Sequence, residues 1–273
     1  MIDITALQRE ALVARLNDLY ARVWGSRDPE IPEIVAWAAE TALDPISRSD
    51  ALYHDVEHTV LVTLVGAQML VGRHTLEGGT TPDDWLHVML ALLFHDVGYV
   101  RGVVRGDKRD AWLTGIGDGT VSLPPGATDA ALQPWHVDRG IKLIQDRFGD
   151  HPRIRADVLT AYIDYTRIPV PKDAEYAETR SLRALVRAGD LVGQLADPKY
   201  LHKLSGLYHE FREIGLDKVN GYANADELRA DYPRFFETTV RPVVGESLVW
   251  LAATAEGRKT IASLHDNLAN ARG

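Results

Sequence analysis

Apolar residues recur every three or four positions along most of the chain, which is the spacing of helices that bury one face. Residue-by-residue alternation, the pattern of half-buried strands, is missing. We therefore predict an all-α protein with helical segments at 1–24, 30–43, 49–77, 81–99, 134–149, 152–166, 178–198, 199–215, 225–254 and a last segment up to the C-terminus. No stretch has the composition of a linker or an internal repeat, so a single domain is expected over 1–273.

The segment after Gly78 and Gly79 should lie at the centre of the fold. Residues 81–84 supply a capping hydroxyl, a proline in the first turn and two acids at the positive end of the helix dipole. Residues 85–94 are then apolar on almost every side, which is typical of a buried helix. By contrast, 100–134 is rich in glycine, proline and charge, and predicts a long loop of the kind that forms lids or binding surfaces.

Composition and charge narrow the classes of function. The chain has 273 residues, of which 45% are apolar, and no cysteine, so a metal would have to be held by imidazole and carboxylate groups. A formal net charge of −9 disfavours extended nucleic acid as a partner but permits a small phosphorylated ligand beside a metal. The N-terminal segment has the pattern of an amphipathic helix, and no uninterrupted apolar stretch approaches the roughly 20 residues of a membrane span. A cytoplasmic protein without a membrane partner is expected.

Three short stretches place metal-ligand side chains on these apolar segments. His95 and Asp96 follow the most apolar run, and Asp190 is flanked by leucine and valine at helical spacing. His54 and His58 are four residues apart, which on a helix puts both on one face. Each stretch alone has a structural explanation, such as a helix-bracing pair or an aspartate that binds backbone. Charged side chains are seldom buried without a partner or a metal, so together they indicate a metal site built from several helices.

In this order the residues resemble the HD-domain superfamily of metal-dependent phosphohydrolases. Its pattern is a histidine, a later His-Asp doublet and a later aspartate, each from a different helix of an all-α bundle. The resemblance implies that His58, His95, Asp96 and Asp190 bind metal. It also implies an HD-type helical bundle with its metal-binding core at about 49–200 and helical additions at both ends.

The stretch at 53–59, Tyr-His-Asp-Val-Glu-His-Thr, is similar to the Tyr-His-Asn…His segment of the cyclic-nucleotide phosphodiesterase branch. That similarity implies His58 as the metal ligand and His54 as the general acid that protonates the leaving oxygen. Asp55 stands where that branch has asparagine, which alters the hydrogen-bonding groups beside the acid.

The remaining candidates have weaker patterns. His136, four residues before Gly140, is similar to the additional His-x-x-x-Gly of subfamilies with two metals, although a structural histidine at a helix start explains it equally well. Those subfamilies often supply another histidine about one helix later, where this chain has Tyr162. Arg101 and Lys108, in the loop after the doublet, are candidates for binding a substrate phosphate, although a solvated basic loop is the simpler explanation.

The expected function follows from this ligand set. A coordinated divalent ion lowers the pKa of water from 15.7 towards roughly 7 and neutralises phosphoryl oxygens. We predict a phosphodiesterase or nucleotidase that cleaves a phosphate ester of a nucleotide, with His54 and Asp96 as catalytic residues. One or two ions of Mn, Fe, Ni, Zn or Mg are expected, and a homo-oligomer is compatible. The alternatives are a di-iron oxygenase on the same scaffold and a non-catalytic nucleotide-binding module.

Overall fold

Helices make up most of the chain, which confirms the predicted all-α class. The computed structural model describes residues 3–271, and within them twelve α-helices and one short antiparallel hairpin form. The helices are α1 (Ile4–Trp24), α2 (Glu30–Ile46), α3 (Val56–Glu77), α4 (Pro82–Phe94), α5 (His136–Phe148), α6 (Ala156–Asp164), α7 (Leu182–Leu195), α8 (Tyr200–Glu213), α9 (Leu216–Asn220), α10 (Ala225–Phe235), α11 (Arg241–Ala252) and α12 (Ala255–Asn270). The strands are β1 (Trp112–Leu113) and β2 (Thr120–Val121).

The central position predicted for α4 is confirmed. Every residue from Trp85 to Phe94 is buried, so the helix contacts other elements on all sides. Its start has the expected chemistry: the Thr81 hydroxyl accepts from the Asp84 backbone N–H, and the Asp84 carboxylate accepts from the Thr81 N–H. This capping box satisfies N–H groups that the first turn leaves without helical partners. The other end of α4, where the His-Asp doublet follows, is buried as well.

Several helix boundaries differ from the prediction. The helix predicted to continue to 99 ends at Phe94, and a separate short turn, Val97–Tyr99, follows the doublet. The third helix begins at Val56 and not near residue 49, because the Asp55 carboxylate caps it by accepting from the His58 N–H at 2.9 Å. His54 therefore precedes the helix, so it does not lie one helical turn before His58. The predicted helix at 225–254 is divided by a π-helical turn, Phe236–Val240, because Pro242 has no N–H to donate to the preceding turn.

Glycines let α3 and α7 approach closely. These two helices form the most extensive helix–helix contact in the described residues. A Cβ on Gly193 would lie 2.6 Å from the Cα of Val62, and one on Gly189 would lie 3.1 Å from the Cα of Gly66. Any side chain at these positions would push the two helices apart. The glycines thus bring the N-terminal half of α3 against the middle of α7.

The segment 100–134 is folded onto α5 instead of standing away from the protein as an open loop. The Arg139 side chain, fully buried, donates from Nε to the Gly98 carbonyl oxygen at 2.6 Å and from Nη2 to the Val100 carbonyl oxygen at 2.9 Å. It also forms an ion pair with Asp107 at 2.9 Å. The arginine ties the start of this segment to α5, because a buried guanidinium is stable only with its donors paired.

Helix α3 is also the one described helix that is long and apolar enough to cross a membrane. In its most apolar window, 56% of the residues are buried inside the protein. The core helix of a soluble protein meets the same criteria of length and composition, and the burial of α3 is consistent with that explanation.

Candidate metal centre

The four ligands implied by the sequence come together from three helices. His58 lies in the first turn of α3, His95 and Asp96 follow the last residue of α4, and Asp190 lies in the second half of α7. The contact between α3 and α7 brings His58 towards Asp190, and α4 packs on both helices. Residues separated by more than 130 positions in the chain therefore face one point.

The ligand atoms are mutually close. Asp96 Oδ2 lies 3.0 Å from His95 Nε2 and 3.1 Å from His58 Nε2. On the other side, Asp190 Oδ1 lies 3.5 Å from His95 Nε2 and 3.8 Å from His58 Nε2. Ligands that each lie 2.0–2.2 Å from one ion are separated from each other by about 3–3.5 Å. The spacing of these nitrogen and oxygen atoms is therefore close to that of a shared divalent ion.

Three of these atoms have no hydrogen-bond partner in residues 3–271, although they are buried: Nε2 of His58, Nε2 of His95 and Oδ2 of Asp96. Both nitrogens lie within ion-pair distance of the Asp96 oxygen, at 3.0 and 3.1 Å. His87 is just as buried and makes a clear contrast, since its Nδ1 donates to the Asp83 carbonyl oxygen and its Nε2 accepts from the Arg155 N–H. Buried polar atoms are normally paired, and three converging atoms without a hydrogen bond could hold a metal ion.

The tautomer of His95 also suits a metal. Its Nδ1 lies 2.7 Å from the carbonyl oxygen of Leu92, which can only accept, so Nδ1 carries a proton. The lone pair of the neutral ring is then on Nε2, which points to the cluster. This backbone bond is a common way of orienting a metal-binding imidazole. The residues present thus fit a divalent ion held by two imidazoles and two carboxylates.

The charge state of the cluster depends on its protons. Burial lowers the pKa of His95, but the charges of Asp96 and Asp190 outweigh burial and raise that pKa well above its usual range. Burial raises the pKa of Asp96, but the charge of His95 and the contacts of His58 and His95 hold it well below its usual range. Asp96 is therefore ionised at neutral pH. A metal ion has to displace the imidazole proton, so metal binding should release protons and strengthen as the pH rises.

His54 lies next to this cluster and is held by a residue that the sequence analysis missed, Glu210 of α8. The Nδ1 of His54 lies 2.6 Å from one carboxylate oxygen of Glu210. The other oxygen accepts from the backbone N–H of Tyr53 at 2.6 Å and of His54 at 3.3 Å. Burial lowers the pKa of His54, but the charge and hydrogen bond of Glu210, with smaller effects of Asp96 and Asp190, raise it to about 9. The ring is therefore cationic at neutral pH, as a proton donor must be.

His136 approaches the cluster from the first position of α5. Its Nε2 lies 3.9 Å from Asp96 Oδ1, the carboxylate oxygen that does not face the other ligands most closely. Its Nδ1 donates to the carbonyl oxygen of Gln133 at 2.5 Å, which leaves Nε2 with the lone pair. Burial is the main reason why its pKa is lowered, partly countered by Asp96. A neutral imidazole beside a free carboxylate oxygen can serve a second ion.

Gly98, two residues after Asp96, allows a close contact with α5. Its backbone φ is not in the left-handed region, so it does not act by freeing a turn. Instead, a Cβ at Gly98 would overlap the carbonyl oxygen of His136 and lie 2.8 Å from the Gly140 nitrogen. The absence of a side chain lets the turn after the doublet rest directly on α5, and this places His136 beside Asp96.

Arg101 and Lys108 occupy different environments. The Arg101 guanidinium donates to Asp129, to Asp50 and to the carbonyl oxygen of Ala127. A phosphate at Arg101 would have to displace these partners, so its position suits bracing of the segment. Lys108 is exposed, and its backbone pairs with that of Ala111. Neither contact links these two residues to the cluster of histidines and aspartates.

Comparison with known proteins gives a family and no named relative. No curated protein matches the chain. The family model described as Npun_R2479-like matches residues 2–272, nearly the whole length. The chain therefore belongs to the Npun_R2479-like family.

Proposed function

We propose that this protein is a divalent-metal-dependent phosphohydrolase that acts on a small phosphate ester. The observation that carries the proposal is the convergence of three buried, unpaired ligand atoms from His58, His95 and Asp96 on one point beside Asp190. The order of these residues in the chain is that of the HD-domain superfamily, which the sequence resembles. A buried polar atom without a partner lowers the stability of the folded state. A bound ion would supply the missing partner.

His58, His95, Asp96 and Asp190 would hold the ion. When bound, a divalent ion would supply an activated water and neutralise the negative oxygens of the phosphoryl group. The residues of the chain contribute orientation and charge: Asp96 remains ionised, and the backbone bond to Leu92 keeps the His95 lone pair directed at the ion. Neither the charge of Asp96 nor the orientation of His95 requires a movement of the helices.

His54 would donate the proton to the leaving oxygen of the ester. Glu210 accepts from its Nδ1, so the proton available for transfer is the one on Nε2. General acid catalysis of this kind contributes typically about 10²–10⁴-fold to a rate. A pKa of about 9 keeps the donor loaded at neutral pH. The need for a proton on the leaving oxygen favours a diester with a poor leaving group over an activated ester.

A second ion, if present, would share Asp96. Its Oδ1 faces His136, while its Oδ2 faces the first set of ligands. The di-iron oxygenase alternative would need more imidazole ligands, and the region where related two-metal sites carry another histidine has Tyr162 and Asp164 here. The Asp164 carboxylate is engaged by Arg167 and by the Tyr176 hydroxyl. Because Asp164 is already paired, it does not replace the missing imidazole ligand. The site therefore favours hydrolysis over oxygenation.

The test combines metal analysis with turnover. Purified protein is stripped with chelator, reloaded separately with Mn²⁺, Fe²⁺, Ni²⁺, Zn²⁺ or Mg²⁺, and assayed with bis(p-nitrophenyl) phosphate and then a panel of nucleotides. One or two equivalents of metal with chelator-sensitive cleavage are expected. Exposed His265 on α12 provides the matched control, since His265→Ala removes an imidazole far from the cluster and should retain full activity.

Two outcomes would contradict the proposed hydrolase function. Tightly held iron without hydrolysis would favour the oxygenase. Metal-free protein under every loading condition, with the helical fold intact, would contradict both enzymatic functions and leave a nucleotide-binding module. Titration with the same nucleotides would then test that module directly.

A further inference from the structure

Three aromatic rings form a stack at the edge of the metal centre. The ring of Tyr99 lies between the imidazoles of His54 and His136, with its centroid 4.5 Å from each. The Tyr99 and His54 planes are 15° apart, and the Tyr99 and His136 planes are 31° apart. The phenol ring thus separates the residue that would donate a proton from the residue that would bind a second ion.

Tyr99 itself has little freedom to move. It ends the short helical turn Val97–Tyr99 and is 3% exposed. The carbonyl oxygens on both sides of it, those of Gly98 and Val100, accept hydrogen bonds from the buried Arg139. A backbone held on both sides of one residue fixes the direction of its side chain.

Each histidine of the stack has one side-chain hydrogen bond and one contact with the face of Tyr99, and the His54 ring also meets Tyr53 and His58 edge-on. His54 is bound through Nδ1 to Glu210, and His136 is bound through Nδ1 to the carbonyl oxygen of Gln133. The hydrogen bond at Nδ1 fixes one edge of each imidazole, and the Tyr99 ring packs against a face of both. One residue therefore restrains the tilt of the two imidazoles together.

We propose that Tyr99 is a positioning residue, whose ring fixes the orientation and separation of His54 and His136 on either side of it. The proposal rests on the proposed function for its effect on turnover. The aromatic ring of Tyr99, and not its hydroxyl, makes the contact with both histidines. Phenylalanine at this position should therefore preserve the orientation of the histidines, and leucine should not. The first set of metal ligands does not include either stacked histidine, so it should be unaffected.

The experiment compares Tyr99→Phe and Tyr99→Leu in the metal-loaded protein with the cyclic nucleotide that the panel shows to be cleaved fastest, because its alkoxide leaving group needs the proton of His54. Tyr99→Leu should lower kcat tenfold or more, change KM less than twofold and retain the first equivalent of metal. Tyr99→Phe should stay within twofold of the wild-type kcat. Wild-type turnover in folded Tyr99→Leu would overturn the proposal. Equal loss in both variants would overturn it too, because the hydroxyl would then be the part that acts.

A protein without hydrolase activity would give no kcat, so the geometry is also measured without turnover. Proton NMR of the metal-free protein follows the ring C–H signals of His54 and His136, assigned with His54→Gln and His136→Gln. Both signals should be shifted by the aromatic ring in wild type and in Tyr99→Phe, and should move together towards ordinary positions in Tyr99→Leu. Signals that do not respond to the leucine substitution would overturn the proposal whatever the activity. Failure of turnover alone would count against the proposed function only.

Discussion

Replacement of Glu210 by glutamine tests whether His54 is the proton donor. The amide has the size of the carboxylate, and its oxygen still accepts from the Tyr53 N–H that Glu210 binds at 2.6 Å. What it removes is the negative charge beside His54. Glu210 is the largest influence that raises the pKa of His54 to about 9, against burial, which lowers it. Without that charge the pKa should fall to the ordinary 6.5 or below.

The size of the effect follows from the fraction of His54 that is protonated. A fall in pKa from about 9 to 6.5 corresponds to roughly 3 kcal/mol, at 1.36 kcal/mol per pKa unit. In the metal-free protein at pH 8 the cationic fraction then drops from about nine-tenths to about three-hundredths, a roughly 30-fold loss of the protonated donor. At pH 6 most of the ring is protonated in both metal-free proteins.

The assay is the pH dependence of kcat with the cyclic nucleotide that the panel shows to be cleaved fastest, because its alkoxide leaving group needs a proton and p-nitrophenolate does not. The alkaline limb should move to lower pH in Glu210→Gln. A bound cation would lower the limb in both proteins, so the separation between the two limbs is the quantity to measure. Glu213, one turn later on α8, is the matched control, since it binds the backbone and hydroxyl of Thr128 and not His54. Glu213→Gln should keep the wild-type limb. Coincident limbs for wild type and Glu210→Gln would refute His54 as the acid.

Three further predictions concern metal, pH and packing. His58→Ala and Asp96→Ala should lose both metal and turnover, whereas His54→Ala should keep the metal and lose turnover; elemental analysis decides, and equal metal loss in all three would contradict this division. In metal-free protein the pKa of His54 is raised and that of Glu210 is lowered, so the stabilisation from this pair should be full between about pH 4.5 and 6.5 and lost as the pH rises through about 9. Urea unfolding of wild type and Glu210→Gln across this range should show the difference shrinking at high pH, and a constant difference would contradict the linkage. Gly193→Ala should destabilise the protein by about 1–3 kcal/mol because its Cβ would meet the facing backbone of α3, and unchanged urea stability would show that the two helices can separate freely.

The burial of the proposed metal ligands could be predicted from the sequence because their surroundings are local. His95 and Asp96 end a run that is apolar on all sides, and Asp190 interrupts a buried helical face, so their burial follows from neighbouring residues. Burial of charged side chains then indicates a partner. The start of α3 was mispredicted, although the cap at Asp55 was readable as an acid before an apolar run. The wrong start of α3 placed His54 on the helix, whereas His54 precedes it and still lies beside His58.

The groups that orient the histidines could not be predicted, because they depend on long-range packing. Glu210 lies 156 residues after His54 and looks like one of several acids on an amphipathic helix. Tyr99 had the appearance of an ordinary core residue after the doublet, and nothing local pairs it with His136, 37 positions later. Arg139 was likewise one basic residue among many until its donors were seen on Gly98 and Val100. Such contacts depend on which helices pack together and at what angle. The apolar periodicity of a single helix does not predict either.

The fixed segment after the doublet has a consequence for how a substrate reaches the site. A loop held by buried Arg139 and Asp107 is not free to open and close over the metal centre. Access must therefore come through the ligands that already have some exposure. The side chains of His54, His136 and Asp190 are each 14% exposed, against 4% for His58 and 1% for His95. A ligand that enters there would meet His54 and His136 before it reaches His58 and His95.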